Sequence, residues 1–107
     1  MALAFKNANL LLTTSATQIY QVPASTTAII TMMQATNKTS LADRVTAQWV
    51  NNANSAVTSL VQDTPVPARG AVGCITGKFI LKAGDILRAQ CATHQSIEIT
   101  LSIMEIS

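Results

Sequence analysis

Charge is what this chain has least of. Asp, Glu, Lys and Arg make up 11% of its 107 residues, against about 25% in an ordinary globular domain. Seven basic residues stand against five acidic ones, for a net charge of +2. The basic residues are scattered, at Lys6, Lys38, Arg44, Arg69, Lys78, Lys82 and Arg88. There is no cationic cluster, and Phe5, Tyr20, Trp49 and Phe79 are the only aromatics available to stack on bases. That excludes a nucleic-acid face. A surface with so little charge also repels copies of itself weakly, which favours self-association.

Groups that carry chemistry are scarce as well. The one histidine, His94, sits among turn residues. A Ser-His-Asp set is conceivable with Asp43, Asp63 or Asp85, but no spacing brings such residues together. The five acids, Asp43, Asp63, Asp85, Glu98 and Glu105, form no recognisable carboxylate pair for glycoside hydrolysis. A zinc site needs three or four ligands at close spacing. Cys74 and Cys91 are far apart in the chain, and they either bridge neighbouring strands or stay buried thiols. Gly70, Gly73, Gly77 and Lys78 fail as a phosphate loop, because the glycine spacing is wrong and Phe79 follows the lysine. The expectation is therefore no enzyme, no metal and no cofactor. Apolar runs such as residues 10–12 and 79–81 are far too short to span a membrane. The first twelve residues lack the long apolar region and cleavage site of a signal peptide. The sequence accordingly reads as made in a cytoplasm, and Asn37-Lys38-Thr39 as a polar turn.

What the chain does have is alternation. In residues 97–107, Ile97, Ile99, Leu101 and Ile103 alternate with Glu98, Thr100 and Ser102, the period-two signature of a half-buried strand. A strand running almost to the last residue belongs inside a sheet, since a loose terminus frays. Further strands are predicted over residues 8–13, 18–22, 26–36, 44–50, 57–62, 79–81 and 86–91. Val45, Ala47 and Trp49 face inward in the fourth of these, and the Asn-rich residues 51–54 turn it into a hairpin with the next. Pro65 and Pro67 mark a crossing segment or an edge strand. These signals give a single all-β domain over residues 1–107, an antiparallel β-sandwich of jelly-roll or Ig-like type with about eight strands. Residues 1–9 are open to being an extended arm. Tyr20 either packs at a sheet corner or offers its ring as a contact. Residues 29–33, Ile-Ile-Thr-Met-Met, are apolar on both faces, which fits either a covered central strand or a strand whose outer face meets another protein.

Three stretches carry a resemblance. They are residues 16–30 (Ala-Thr-Gln-Ile-Tyr-Gln-Val-Pro-Ala-Ser-Thr-Thr-Ala-Ile-Ile), residues 45–50 (Val-Thr-Ala-Gln-Trp-Val) with the Asn-rich turn, and residues 77–87 (Gly-Lys-Phe-Ile-Leu-Lys-Ala-Gly-Asp-Ile-Leu) followed by the terminal strand. In that order they resemble small β-sandwich virion structural proteins of tailed bacteriophages. The resemblance implies a multi-copy structural subunit. First among the options is a capsid decoration or cement protein that binds the major capsid protein shell, as a dimer or trimer, in a virion assembled in the host cytoplasm. A neck, tail or fibre component forming a ring is the alternative, and a carbohydrate-binding module is a second one. Contacts are expected from Leu3, Phe5, Lys6, Tyr20, Ile30, Met32, Asn51, Asn52, Asn54, Pro65, Pro67 and Arg69.

Overall fold

The last strand shows how alternation becomes architecture. Ile97, Ile99, Leu101 and Ile103 are each at most 3% exposed, while the positions between them face away from the core. The same rule applied along the chain builds two sheets that bury their apolar faces against each other. The computed structural model describes residues 2–75 and 77–107. Among the described residues there are nine strands and no helix: β1 (Leu3–Leu11), β2 (Thr17–Gln21), β3 (Thr27–Asn37), β4 (Asp43–Val50), β5 (Val57–Val66), β6 (Ala71–Gly73), β7 (Phe79–Leu81), β8 (Ile86–Cys91) and β9 (Ile97–Ile106).

The pairings nest. β1 pairs with β9, β2 with β8, β3 with both β6 and β7, and β4 with β5, all antiparallel. This is one long hairpin with its tip between β4 and β5, rolled up so that successive pairs fall in alternate sheets. One sheet has the order β1-β9-β3-β6, with β7 also on β3; the other is β2-β8-β4-β5. Nested pairing of this kind is a jelly roll and not an Ig-like sandwich. β6 and β7 lie on the same edge of β3, at its two ends, so they act as one interrupted strand. That split makes nine strands where about eight were expected. The short β6 escaped the sequence reading because it follows Gly70 and itself ends in Gly73.

Three expectations change. Residues 3–9 are not an arm: β1 pairs with β9 in unbroken register, from Leu3 opposite Ile106 to Leu11 opposite Glu98. Met1 lies outside the described residues. The strand predicted over residues 57–62 lengthens to Val66; it runs through Pro65 because β5 is an edge strand, as one of the two readings of that proline had it. Ile30 is not a surface contact; it is 0% exposed. The register between β3 and β9 shifts between Ile30 and Met32, with Ile30 opposite Ile103 and Met32 opposite Ser102. Thr31 is the extra residue of a β-bulge. Strict alternation would put residues 30 and 32 on one face, and the bulge sends them to opposite faces.

Ile30 joins Met33 and Ala35 of β3, Val45 and Ala47 of β4, Leu87, Ala89 and Cys91 of β8 and the inward face of β9 in one core. Cys74 and Cys91 are both buried free thiols, and burial pushes the Cys74 thiol up to about 11. Asn37 is more than a turn residue. Its buried amide donates to the carbonyls of Leu41 (2.8 Å) and Val66 (3.2 Å), and its Oδ1 accepts from the Thr39 backbone (2.9 Å) and hydroxyl (2.8 Å). It ties the β3–β4 loop to β5.

Candidate interaction surface

The outer face of the β1-β9-β3 sheet is the most unusual surface of the molecule. Register places the side chains in rows across the strands. Phe5 lies opposite Met104, Met104 opposite Ile29, and Ile29 opposite Ile80. One row further out, Leu3 lies opposite Ile106. Phe5 is 81% exposed, Ile80 62%, Leu3 60% and Met32 38%. With strands about 4.8 Å apart, these rows cover on the order of 300 Å². Contiguous apolar patches of that size mark interaction sites more often than ordinary surface. Towards the other end of the sheet the rows turn polar, with Asn9, Thr100 and Gln34 side by side. A shallow groove of about 310 Å³ follows the boundary, lined by Phe5, Asn7, Thr31, Ser102 and Met104 among others. The Thr31 hydroxyl donates to the Ser102 carbonyl at 3.2 Å and so holds the bulge against β9.

Beneath this face a charged cluster pins β1. Lys6 points inward, and its Nζ lies 2.9 Å from Glu105 Oε1. The Tyr20 hydroxyl, from the opposite sheet, donates to Glu105 Oε2 at 2.5 Å. The hydrogen bond from Tyr20, then that from Lys6, holds the Glu105 carboxyl below the usual carboxylate range, against the effect of burial. Burial, and after it the bond to Glu105 and its negative charge, raises the Tyr20 phenol well above its usual value. Tyr20 is thus committed inside the molecule, Lys6 stays half-exposed at the edge beside the apolar face, and Leu3, Phe5 and Met32 of the expected contacts come together on that face. Tyr20 packs, as one of its two readings had it.

The remaining expected contacts lie elsewhere. Asn51, Asn52 and Asn54 form the β4–β5 turn; the side chains of Asn51 and Asn54 serve the turn itself, and Asn52 bonds across to Asp85 of the β7–β8 turn. Asn51 Oδ1 accepts from the Ala53 N–H at 3.0 Å, and Asn54 Oδ1 from the Ala56 N–H at 2.9 Å. Pro65, Pro67 and Arg69 are exposed at the opposite end of a molecule 45 Å long. Ile29, from the run 29–33 already read as a covered strand or an interface, joins the patch, and Met104, Ile106 and Ile80 complete it without having been singled out from sequence. Their signal was readable, since the polar half of the β9 alternation gives way to Met and Ile after Ser102.

Two buried carboxylates organise the ends of the sandwich. Asp85 accepts from Trp49 Nε1 (3.2 Å) and from the backbone N–H groups of Asn52 (2.9 Å) and Lys82 (3.0 Å). Trp49 itself is half-buried and meets Phe79 edge to face, with centroids 5.4 Å apart. At the other end Asp43 accepts from the Ser96 hydroxyl and from the Thr93 N–H. Burial works to raise the Asp43 carboxyl, but the bonds from Ser96 and from the backbone of Arg44 and Thr93 outweigh it and the net shift is downward. Ser96 donates to Asp43 and to the Thr93 carbonyl rather than to the exposed His94. Among the described residues no group of three or more His, Cys, Asp or Glu side chains is placed to hold a metal ion.

No protein-family model and no curated protein matches the sequence. A solved Bacillus structure, described as endospore appendages that form a novel family of disulfide-linked pili, is similar in fold. Its TM-score is 0.56 at 13% identity, covering 97% of this chain and 84% of that one.

Proposed function

We propose that this chain is a bacteriophage virion structural protein, a capsid decoration subunit that lays the apolar end of its β1-β9-β3 face on the major capsid protein shell and stabilises it. The observation that carries the reading is the row Phe5, Met104, Ile29 and Ile80 on the open face of a sheet in a weakly charged chain. Burying it on a partner removes on the order of 300 Å² of apolar surface from water, about 7 kcal/mol per copy before the cost of association. The resemblance of residues 16–30, 45–50 and 77–87 to phage virion proteins supplies the partner. Jelly rolls host capsid domains among many others, a likeness of fold and not of site. A neck, tail or fibre position uses the same face in a ring.

A second reading is a polymer subunit, favoured by the likeness in fold to a pilus protein over nearly the whole chain. The carbohydrate-binding alternative needs an aromatic platform. Trp49 is bonded to Asp85 and meets Phe79 edge to face, and the Tyr20 hydroxyl is bonded to Glu105.

The test is co-sedimentation of the purified protein with shells assembled from the major capsid protein of the same genome. Binding that saturates, and that Ile80→Asp abolishes while the circular dichroism is unchanged, supports decoration. Absence of binding together with filaments or rings of the protein alone, seen by electron microscopy, moves the assignment to the polymer or the neck and tail.

A further inference from the structure

The two sheets have four edges, and three of them are blunted. β2 has five residues and a register shift between Gln18 and Tyr20. β6 and β7 have three residues each. β5 carries Pro65, two register shifts against β4 and a positive φ of 51° at Asp63. Short strands, proline and bulges are how native sheets protect their edges. β1 has none of these. It is nine residues long and unshifted. Its one protecting feature is Lys6, an inward-pointing, half-exposed charge whose Nζ is held by Glu105 at 2.9 Å.

Among the described residues, the backbone of β1 makes no hydrogen bonds on its outer side. The Ala2 N–H donates to the Ser107 carbonyl at 2.8 Å and the Ser107 N–H to the Ala2 carbonyl at 2.9 Å, so the even-numbered residues of β1 face β9. The N–H and C=O groups of Leu3, Phe5, Asn7, Asn9 and Leu11 therefore point off the edge of the sheet. These five residues also carry the outward side chains of β1, and none is charged.

We propose that β1 pairs antiparallel with β1 of a second copy about a two-fold axis, with Phe5 opposite Phe5 of the other copy. An antiparallel strand is its own complement, so no second surface has to be invented. In this register Leu3 faces Asn7 of the other copy on both sides of the axis, and about six backbone hydrogen bonds form. The row Phe5, Met104, Ile29 and Ile80 continues through both copies as one apolar strip, and the Phe5 rings cover each other. The outward side chains of the overlap carry no charge, and each Lys6, on the inward side, is paired with Glu105 of its own copy, which limits like-charge repulsion between copies. One strand edge lies at the low end of protein interfaces, below about 1,200 Å² in total, so the dimer is weak and concentration-dependent. This inference concerns a second copy and stands whether or not the shell reading holds.

The test combines light scattering with cross-linking on the full chain. The parent is expected to show a monomer–dimer equilibrium. Asn7→Pro removes an N–H that no ladder bond uses and weakens the dimer at least about tenfold. Ile80→Asp, on the face and not the edge, leaves it intact. With Cys74 and Cys91 buried, Phe5→Cys offers the one exposed thiol. Its Cα lies about 5.5 Å from its mate, within disulfide reach, so oxidation links the dimer, while Asn7→Cys does not. A parent that stays monomeric up to about 1 mM, a dimer indifferent to Asn7→Pro, or cross-linking at Asn7→Cys in place of Phe5→Cys overturns the proposal.

Discussion

Replacing Asp85 by alanine tests how the apolar end of the sandwich is held together. Asp85 is 3% exposed, and its carboxylate receives the Trp49 indole N–H and the backbone N–H groups of Asn52 and Lys82 at 2.9–3.2 Å. Three segments, the end of β4, the β4–β5 turn and the β7–β8 turn, thus meet on one side chain. Hydrogen bonds to a charged group are worth about 1.5–3 kcal/mol each, and a buried donor left without a partner costs a similar amount. Water can reach part of these turns, so the sum is discounted to about 3–5 kcal/mol, a large share of the ~5–15 kcal/mol that holds a domain of this size. At upwards of about 4 °C per kcal/mol, Tm falls by on the order of 15–20 °C. Asp85→Asn keeps one acceptor and falls between the two. The assay is thermal unfolding followed by circular dichroism and by Trp49 fluorescence, whose emission shifts to the red as the indole loses its partner. An Asp85→Ala protein within about 1 kcal/mol of the parent, with unchanged emission, would refute the account of this site.

Three further outcomes are expected. Ile30→Asp places a charge in the core and costs more than about 4 kcal/mol, whereas Met32→Asp stays within about 1 kcal/mol; equal effects in urea titrations would show that the bulge at Thr31 is misassigned. Glu105 and Asp43 have carboxyl groups lowered in the folded state, so their contribution is present above the unfolded carboxylate value near ~4 and is lost as pH falls through the folded one. Tm should hold steady above about pH 5 and drop below it, and Glu105→Gln should flatten that drop; a Tm rising towards acid would contradict the sign. Gly84 has φ +86°, and an added Cβ would sit 2.5 Å from Asn52 Nδ2, whereas Gly77, with φ +75°, has nothing within 4 Å. Gly84→Ala is expected to cost about 1–2 kcal/mol and Gly77→Ala less, with the difference in Tm reading the contact with Asn52.

Much of the fold was legible because strand alternation is a local property. Residues 97–107, 44–50 and 86–91 announce their inward faces in the order of their side chains, and every predicted strand has its counterpart. What failed did so for identifiable reasons. β6 is three residues, one of them Gly73, too short to show a period. The first residues of β1 read as an arm because Ala2, Ala4 and Ala8 blur the alternation, and it is pairing with β9 that makes them a strand. The choice between a jelly roll and an Ig-like sandwich rests on which strand neighbours which, and pairing between residues as distant as Leu3 and Ile106 leaves no local mark. For the candidate surface, Leu3, Phe5 and Met32 were readable as apolar residues without an obvious core role. That Met104, Ile29 and Ile80 stand in line with Phe5 follows only from register.

By itself the sequence determined the all-β class, the inward faces of the long strands and a surface short of charge, because these follow from the order and type of neighbouring side chains. The tertiary structure decided three things that depend on contacts across the chain. It joined Tyr20 and the half-exposed Lys6 on the buried Glu105, it turned Ile30 inward through a single-residue bulge, and among the described residues it left β1 as the one long edge without proline or register shift. Each is a consequence of which strands lie side by side, and that is set by the free energy of the whole core and not by any segment of it.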